Sequence, residues 1–293
     1  MNKPLVTRFG GHEFRWGEKT FVMGIINLSP NSFSGDGLSF AEEGVAQGLR
    51  MAAEGADILD VGGESTRPGA EPIPLEEELR RVIPVIEQLA PQVQIPISVD
   101  SYKYEVARQA LQAGARMLND QWALKKEPRL ADLAAAEGVP IVLMSNQREL
   151  GSYDPVAKRD TADYADPIAE ILKTLRWSLE RARAARVPRQ NLIVDPGLGI
   201  GKNWRHDLEI IRRLDELQVL AQPLLLGPSR KSFIKMVLEL PPDERVEGTA
   251  AAVAIGIERG ADIVRVHDVK QMVRVCRMCD AILRRDRRST GDL

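Results

Sequence analysis

The chain holds two cysteines, Cys276 and Cys279, in 293 residues. A disulfide framework is therefore excluded. Their C-x-x-C spacing would allow a redox pair or half of a metal site. No second cysteine pair exists, however, and the three histidines His12, His206 and His267 lie far away in sequence. Both cysteines fall in Val269–Arg284, a helical pattern with a Leu, Met and Val face, so packing at a helix surface is the expected role. Charge of one sign is also lacking. The formal net charge of −2 supplies no overall basic field to attract nucleic acid, so an anionic ligand must be held by local Arg and Lys. No apolar run approaches the ~20 residues that span a bilayer, and Met1–Phe9 lacks the apolar core of a signal peptide. The expected setting is cytoplasmic, without membrane or nucleic-acid partners. Linkers, internal repeats and low-complexity tracts are missing as well, so residues 1–293 read as one domain.

What is present is a repeated ending. Phe21–Asn27, Ile58–Gly63, Ile95–Asp100, Ala115–Asp120, Val139–Ser145, Asn191–Gly197, Pro223–Ser229 and Ile263–Asp268 are short runs rich in Val, Ile, Leu or Met that finish on polar residues or glycine. Continuous apolar runs are the mark of buried parallel strands. Helical patterns follow at Phe40–Gly55, Leu75–Ala90, Glu105–Gly114, Pro128–Gly138, Pro167–Ala185, His206–Leu220, Thr249–Gly260 and Val269–Arg284. Eight β-then-α units predict an α/β fold, a (β/α)8 TIM barrel, with the polar endings gathered on one rim as a single site. A doubly wound open sheet is the rival architecture, but no G-x-G-x-x-G follows the first strand. Before the first strand, residues 1–20 are expected to form a hairpin segment, with Phe14–Thr20 as the small hairpin over the barrel floor. Residues 285–293 read as a flexible tail.

Several endings carry chemistry. Asp60-Val-Gly-Gly-Glu-Ser-Thr-Arg-Pro-Gly-Ala70 joins a close-approach glycine pair to an acid, two hydroxyls, an arginine and a rigid turn. In Ile263-Val-Arg-Val-His-Asp268, period-two geometry puts Arg265 and His267 on one side of the strand. An arginine facing into a barrel needs an anionic or π-rich partner. Arg and His together fit a phosphate site; the bland alternative is a structural ion pair of Arg265 with Asp268 or Asp100. Ser229-Arg-Lys-Ser232 enters a short helix and offers two basic residues, of which either could be merely solvated. Its glycine spacing does not match a P-loop. Asp100, Asn119-Asp120 and Asp195 add carboxylates and an amide. These suit a flat heterocycle with N–H and amino donors, and could equally coordinate a metal. Residues 29–39 and 64–74, rich in Gly, Ser and Pro, read as loops over the site.

Taken together in order, Gly24-Ile-Ile-Asn27 with its Ser-Pro-Asn-Ser-Phe-Ser loop, Gly62-Gly-Glu-Ser-Thr-Arg-Pro-Gly69, Ser98-Val-Asp-Ser101, Asn119-Asp120, Asp195-Pro-Gly-Leu-Gly-Ile-Gly-Lys202, Ser229-Arg-Lys-Ser-Phe233 and Arg265-Val-His-Asp268 resemble the dihydropteroate synthase family, pterin-binding TIM barrels, over nearly the whole chain. The resemblance implies a transferase of folate biosynthesis. Its substrates would be 6-hydroxymethyl-7,8-dihydropterin pyrophosphate and p-aminobenzoate, and its products 7,8-dihydropteroate and pyrophosphate. It further implies that Asp100, Asn119, Met144, Asp195, Lys231 and Arg265 hold the pterin. Asn27, Arg67, Arg265 and His267 would bind pyrophosphate, with Asn27 also touching Mg2+, the implied cofactor. Phe33, Thr66, Pro68, Ile200, Lys231 and Ser232 would form the p-aminobenzoate pocket, and Arg67, Lys231, Arg265 and His267 would carry catalysis. A homodimer through outer helices is implied as well, with Thr249–Gly260 and Val269–Arg284 as surfaces. Departures from the family pattern are Ser29 and Asn31 for Thr and Asp, Gly35-Asp36 in transposed order, Ser145-Asn-Gln147 after Met144, and Ile200 for an aromatic. Two other functions remain open at this level: a pterin-dependent methyltransferase and a non-catalytic pterin-binding relative.

Overall fold

In the computed structural model, side chains along each strand divide between two environments, and that division builds the fold. The structure describes residues 6–28, 40–65, 72–148 and 163–284, with Lys3 and the pairs 153–154 and 159–160. The chain opens with strands β1 (Val6–Phe9) and β2 (His12–Arg15), paired antiparallel. It then runs through β3 (Phe21–Asn27), α1 (Phe40–Ala53), β4 (Ile58–Gly62), α2 (Leu75–Leu89), β5 (Ile97–Asp100), α3 (Tyr104–Ala113), β6 (Met117–Asp120), α4 (Arg129–Glu137) and β7 (Ile141–Met144). A two-residue pair, β8 (Tyr153–Asp154) with β9 (Arg159–Asp160), precedes α5 (Pro167–Ala184). The remainder is β10 (Leu192–Asp195), α6 (Trp204–Arg212), β11 (Leu225–Leu226), α7 (Ser232–Leu238), α8 (Val246–Glu258), β12 (Ile263–Val266) and α9 (Val269–Leu283).

Eight strands form one sheet in the order β10-β7-β6-β5-β4-β3-β12-β11, with all pairings parallel. A parallel bridge between Val194 and Leu224 joins the two ends of that order and closes the barrel. Helices separate the successive barrel strands, so the expected (β/α)8 architecture is present.

Outward-facing Val61, Val99, Leu118, Leu143, Val194, Leu226 and Val264 belong to the large core shared with the helices. Inward-facing Met23, Ile58, Met117, Val142, Ile193, Leu225 and Ile263 fill the barrel's lower end, together with Phe9, Phe14, Trp16 and Phe21. The amino-terminal hairpin therefore plugs the floor with aromatic rings; Phe14 and Phe21 lie 4.6 Å apart between centroids. The hairpin itself spans Val6–Arg15 and not Phe14–Thr20. Its turn is Gly10-Gly11, with φ of +52° and +83°. A two-residue connection with both φ positive matches the right-handed strand twist, and glycine adopts it without strain.

Other boundaries also shift. The seventh barrel strand shrinks from the expected Pro223–Ser229 to Leu225–Leu226, because Pro223 and Pro228 lack the N–H that a ladder requires. His206–Leu220 is not one helix. Asn203 caps α6 through Oδ1, which accepts from the N–H groups of Arg205 and His206 at 3.0 Å. After Arg212 the chain tightens into a 3-10 stretch, Leu214–Leu220. Cys276 is buried and Cys279 is half-buried on α9, both as free thiols. Burial pushes both thiols above their ordinary range, as expected for packed rather than reactive groups. Among the described residues, no helix is long and apolar enough to cross a membrane.

Candidate active site

Following the inward parity upward, most strands turn from an apolar side chain to a polar or small one. Ile58 gives way to Asp60 and Gly62, Ser98 to Asp100, Met117 to Asn119, and Ile193 to Asp195; Arg265 and His267 follow Ile263. Asn27, Asp100, Asn119, Met144, Asp195, Arg265 and His267 thus line one cavity of about 750 Å³ at the carboxyl ends of the strands. Ile200, Lys231 and Ser232 line it from the loops above. These are ten of the residues singled out from sequence, now around a single space. Phe33, Thr66, Arg67 and Pro68 lie outside the described residues, as do most of loops 29–39 and 64–74 and the tail 285–293.

Arg265 is held by two acids. Its Nε donates to Asp60 Oδ2 at 2.6 Å, and one terminal nitrogen donates to Asp100 Oδ2 at 2.6 Å. A pair with Asp100 was one sequence-level alternative; Asp268 instead takes Arg230, through bonds of 3.1 and 2.6 Å. This separates the two basic neighbours. Arg230 is tied to the β12 loop, whereas Lys231 is half-buried, its aliphatic stem lying where a Cβ on Gly199 would approach to 3.2 Å. Burial, then Arg265, holds the Lys231 ammonium below its ordinary range, while Asp207 and Asp195 oppose that shift.

The acids respond to the same burial. Asp195 Oδ1 accepts from the Gly197 N–H at 2.7 Å, yet burial still raises its pKa against the pull of that bond and of Lys231. Asp100 is raised from 3.8 to about 7, by burial first, with Arg265 pulling down and Asp60 pushing up. Gln121 donates to its Oδ1. Asp120 points the other way: it accepts from the backbone N–H groups of Trp122 and Leu124 at 2.9 and 2.6 Å and shapes the turn beyond β6. Of the Asn119-Asp120 pair, only Asn119 reaches the cavity.

His267 Nδ1 lies 2.9 Å from Ser229 Oγ, which also accepts from the His267 backbone N–H at 3.1 Å. Burial, then the guanidiniums of Arg230 and Arg265, pushes the imidazole down to about 3. His267 is therefore neutral near pH 7. A Ser229 hydroxyl donating to Nδ1 leaves the proton on Nε2.

Lys202, in the glycine-rich motif, and Glu64, the acid of the Asp60–Ala70 segment, are scaffolding. Lys202 Nζ donates to the carbonyls of Ser145, Gly197 and Ile200 at 2.9, 2.9 and 3.0 Å, which fixes the loop carrying Ile200. Glu64 accepts from Lys103 Nζ at 2.8 Å and from the Ile73 N–H at 3.1 Å, tying together the two ends of the 64–73 connection. Conversely, Asp60, Gln121 and Ser229 position site groups, although no such role was read for them from sequence. Asp60 was nonetheless signalled by parity, since it shares its strand face with Ile58 and Gly62. Among the described residues no cluster of three His, Cys, Asp or Glu could hold a metal. Asn27 supplies at most one amide oxygen.

The cavity accordingly has an acid floor of Asp100 and Asp195, a cationic side of Lys231 and Arg265, and a neutral imidazole. The pterin binding enzyme family model matches residues 23–267. The dihydropteroate synthase of Bacillus subtilis (strain 168) is 46% identical over 267 residues, covering 91% of this chain and 90% of that protein. That of Clostridium beijerinckii is 44% identical, covering 95% and 100%. Among solved structures, Xanthomonas albilineans dihydropteroate synthase with 4-aminobenzoic acid superimposes with a TM-score of 0.87 at 41% identity, over 95% of this chain and 98% of that one. The same enzyme in complex with 7,8-dihydropteroate gives 0.82 at 39% identity, over 93% and 96%. With a family model spanning most of its length and full-length relatives at this identity, the chain belongs to the pterin-binding enzyme family, within its dihydropteroate synthases.

Proposed function

We propose that the cavity joins 6-hydroxymethyl-7,8-dihydropterin pyrophosphate to p-aminobenzoate, releasing pyrophosphate and leaving 7,8-dihydropteroate. The observation that carries this reading is the meeting of buried acids with Lys231, Arg265 and neutral His267 around one space. Asp195 and Asp100 accept hydrogen bonds from N–H groups on the ring edge, and Asn119 adds an amide. Met144 and the Arg265 guanidinium pack against the ring faces. Beside them Arg265 and the His267 Nε2–H offer donors to the diphosphate. Phe33, Thr66, Arg67 and Pro68 complete the assignment, Arg67 at the diphosphate and the other three with Ile200 and Ser232 around p-aminobenzoate.

The methylene C–O bond breaks with its electron pair leaving on the diphosphate. Donors aimed at that oxygen oppose the developing charge, commonly the largest catalytic contribution. The cation left on the methylene is delocalised into the ring and faces the acid floor. The aniline nitrogen's lone pair then forms the new C–N bond, and the nitrogen loses a proton to solvent or to the departing diphosphate. An aniline needs no strong base, so holding the two reactants in line supplies much of the remainder. Asn27 would offer one amide oxygen to Mg2+, which would offset negative charge on the diphosphate. Such an ion binds through few protein ligands plus phosphate oxygens and neutralises leaving-group charge. The purified chain with both substrates and Mg2+ is expected to release pyrophosphate and form dihydropteroate, detected by mass. Tight pterin binding without turnover would indicate a non-catalytic relative.

With a pKa near 3, His267 is neutral from pH 5 to 8 and gains charge only on acidification toward that value. His267→Gln, which keeps an N–H donor, is expected to hold kcat/KM within about tenfold, whereas His267→Ala loses about 10²-fold. Equal losses, with a titration near pH 6.5 that vanishes in both variants, would show that a charged imidazole is required.

The proposed setting is a cytoplasmic homodimer. Support comes from an apolar cleft of about 440 Å³ among α6, α7 and α8, lined by Leu208, Ile211, Ile234, Val237, Leu238 and Ile255. Val237 is 56% exposed and Ile255 49%, unusual for a face with no partner. Val237→Glu is expected to convert a sedimenting dimer to monomer at micromolar concentration. A parent that is already monomeric there would contradict the assignment.

A further inference from the structure

We propose that Asp60 is a positioning residue for the pterin site, and that it dictates which end of the Asn119 amide meets the ring. The proposal rests on the reading of this cavity as a pterin site and deepens it. Asp60 lies on β4 beneath the cavity floor with no solvent exposure. Its Oδ2 accepts two bonds, from Arg265 Nε at 2.6 Å and from Asn119 Nδ2 at 2.9 Å. One carboxylate oxygen thus fixes groups on β12 and β6, strands on either side of β4.

The Asn119 amide has a donor end and an acceptor end. With Nδ2 directed at Asp60, rotating the amide by half a turn would bring its carbonyl oxygen against a carboxylate oxygen, two acceptors face to face. Asp60 therefore locks the carbonyl oxygen as the end that Asn119, which lines the cavity, can present to a ligand. That oxygen joins the carboxylates of Asp100 and Asp195, so the floor offers acceptors. It is matched by a ring edge rich in N–H groups and opposed by one rich in lone pairs. Asp60 sets this pattern without touching the ligand.

The second Asp60 oxygen argues for such a role. Oδ1 is buried and has no hydrogen-bond partner. A buried carboxylate oxygen left unpaired costs stability, and an apolar residue at this depth would avoid that cost. Orientation of Arg265 and Asn119 gives a reason for an acid here that packing does not.

The test compares Asp60→Leu and Asp60→Ala, which remove the acceptor, with Asp60→Asn, which keeps one oxygen for both donors. Binding of 6-hydroxymethylpterin, which has no diphosphate, is followed by calorimetry, and KM for each substrate by pyrophosphate release. The acceptor-free variants are expected to weaken pterin binding about 10- to 100-fold and to raise KM for the dihydropterin substrate, with KM for p-aminobenzoate unchanged. Asp60→Asn is expected to restore binding to within about threefold of the parent, a factor worth less than 1 kcal/mol. In an Asn119→Ala background the Asp60 effect on binding should shrink. Asp60→Ala adds no bulk and keeps the comparison readable if Asp60→Leu does not fold. Unchanged pterin binding in folded Asp60→Ala, or a loss that Asp60→Asn fails to rescue, would overturn the proposal. Because binding is read without turnover, a chain that binds pterin but releases no pyrophosphate would overturn the catalytic reading while leaving this test intact.

Discussion

Arg265→Met is expected to lower kcat/KM by about 10³-fold, at the upper end of what removing one well-aimed donor costs. The variant loses the two proposed tasks of donating to the diphosphate and packing on the ring, and the observed one of balancing Asp60 and Asp100. The third task makes the variant unstable as well as slow. Removing one partner of a partly buried pair leaves uncompensated charge, at about 3 kcal/mol. For a chain of this size that corresponds to a fall of about 6 °C in Tm.

The pH dependence has a definite sign. Asp100 has a folded-state pKa of about 7 against an ordinary 3.8. A raised carboxyl destabilises the fold progressively as pH climbs from about 3.8 to about 7, and fully above that. Loss of Arg265 removes the group that pulls this pKa down, so the window extends upward and deepens. The Tm gap between parent and Arg265→Met, followed from pH 5 to pH 9, should therefore stay level up to about pH 7 and widen above it. Melting curves across that range check it, and a gap independent of pH would mean that Arg265 does not balance these acids.

Asp195→Asn has the next largest expected effect. The carboxylate keeps one oxygen on the Gly197 N–H and sits in a buried site within the electrostatic reach of Lys231. An amide in its place retains a single acceptor and turns an N–H₂ toward a ring edge that itself carries donors. Replacing a charge-assisted pair by that mismatch is expected to cost about 2–4 kcal/mol, or 10²- to 10³-fold in pterin affinity. The KM for p-aminobenzoate, proposed to bind apart from the ring edge, should barely move. Calorimetry with 6-hydroxymethylpterin and steady-state kinetics measure the two separately; equal losses for both substrates would place Asp195 in the scaffold.

Much of this site was legible along the chain because a barrel strand has a strict period of two. Once Ile263 is inward, Arg265 and His267 are too, and the same parity carries Ile193 to Asp195 and Met117 to Asn119. The parity of β4 equally placed Asp60 inside, but a run of residues does not say what an inward acid touches. Its partners Asn119 and Arg265 are 59 and 205 residues away, contacts created only by barrel closure and strand register. The fates of Arg230 and Lys231 were hidden for the same reason. Both line the cavity, but Arg230, at a φ of +57°, turns to Asp268 while Lys231 lies against Gly199. The Lys202 clamp was hidden because a lysine after a glycine-rich loop looks like a ligand group until three backbone carbonyls converge on it. Strand and helix limits moved where local chemistry overrode apolar patterning, at Pro223, Pro228 and the Asn203 cap.

The central claim is that one cavity grips a bicyclic ring on its acids while holding a diphosphate on its cations. A crystal structure of the chain soaked with 7,8-dihydropteroate and pyrophosphate tests it most directly. The expected result is the ring's N–H edge on Asp195, Asp100 and the Asn119 carbonyl, with the diphosphate within hydrogen-bond distance of Arg265 and His267 Nε2. A ring seated away from Asp100 and Asp195, or a diphosphate bound remote from Arg265 and His267, would contradict it.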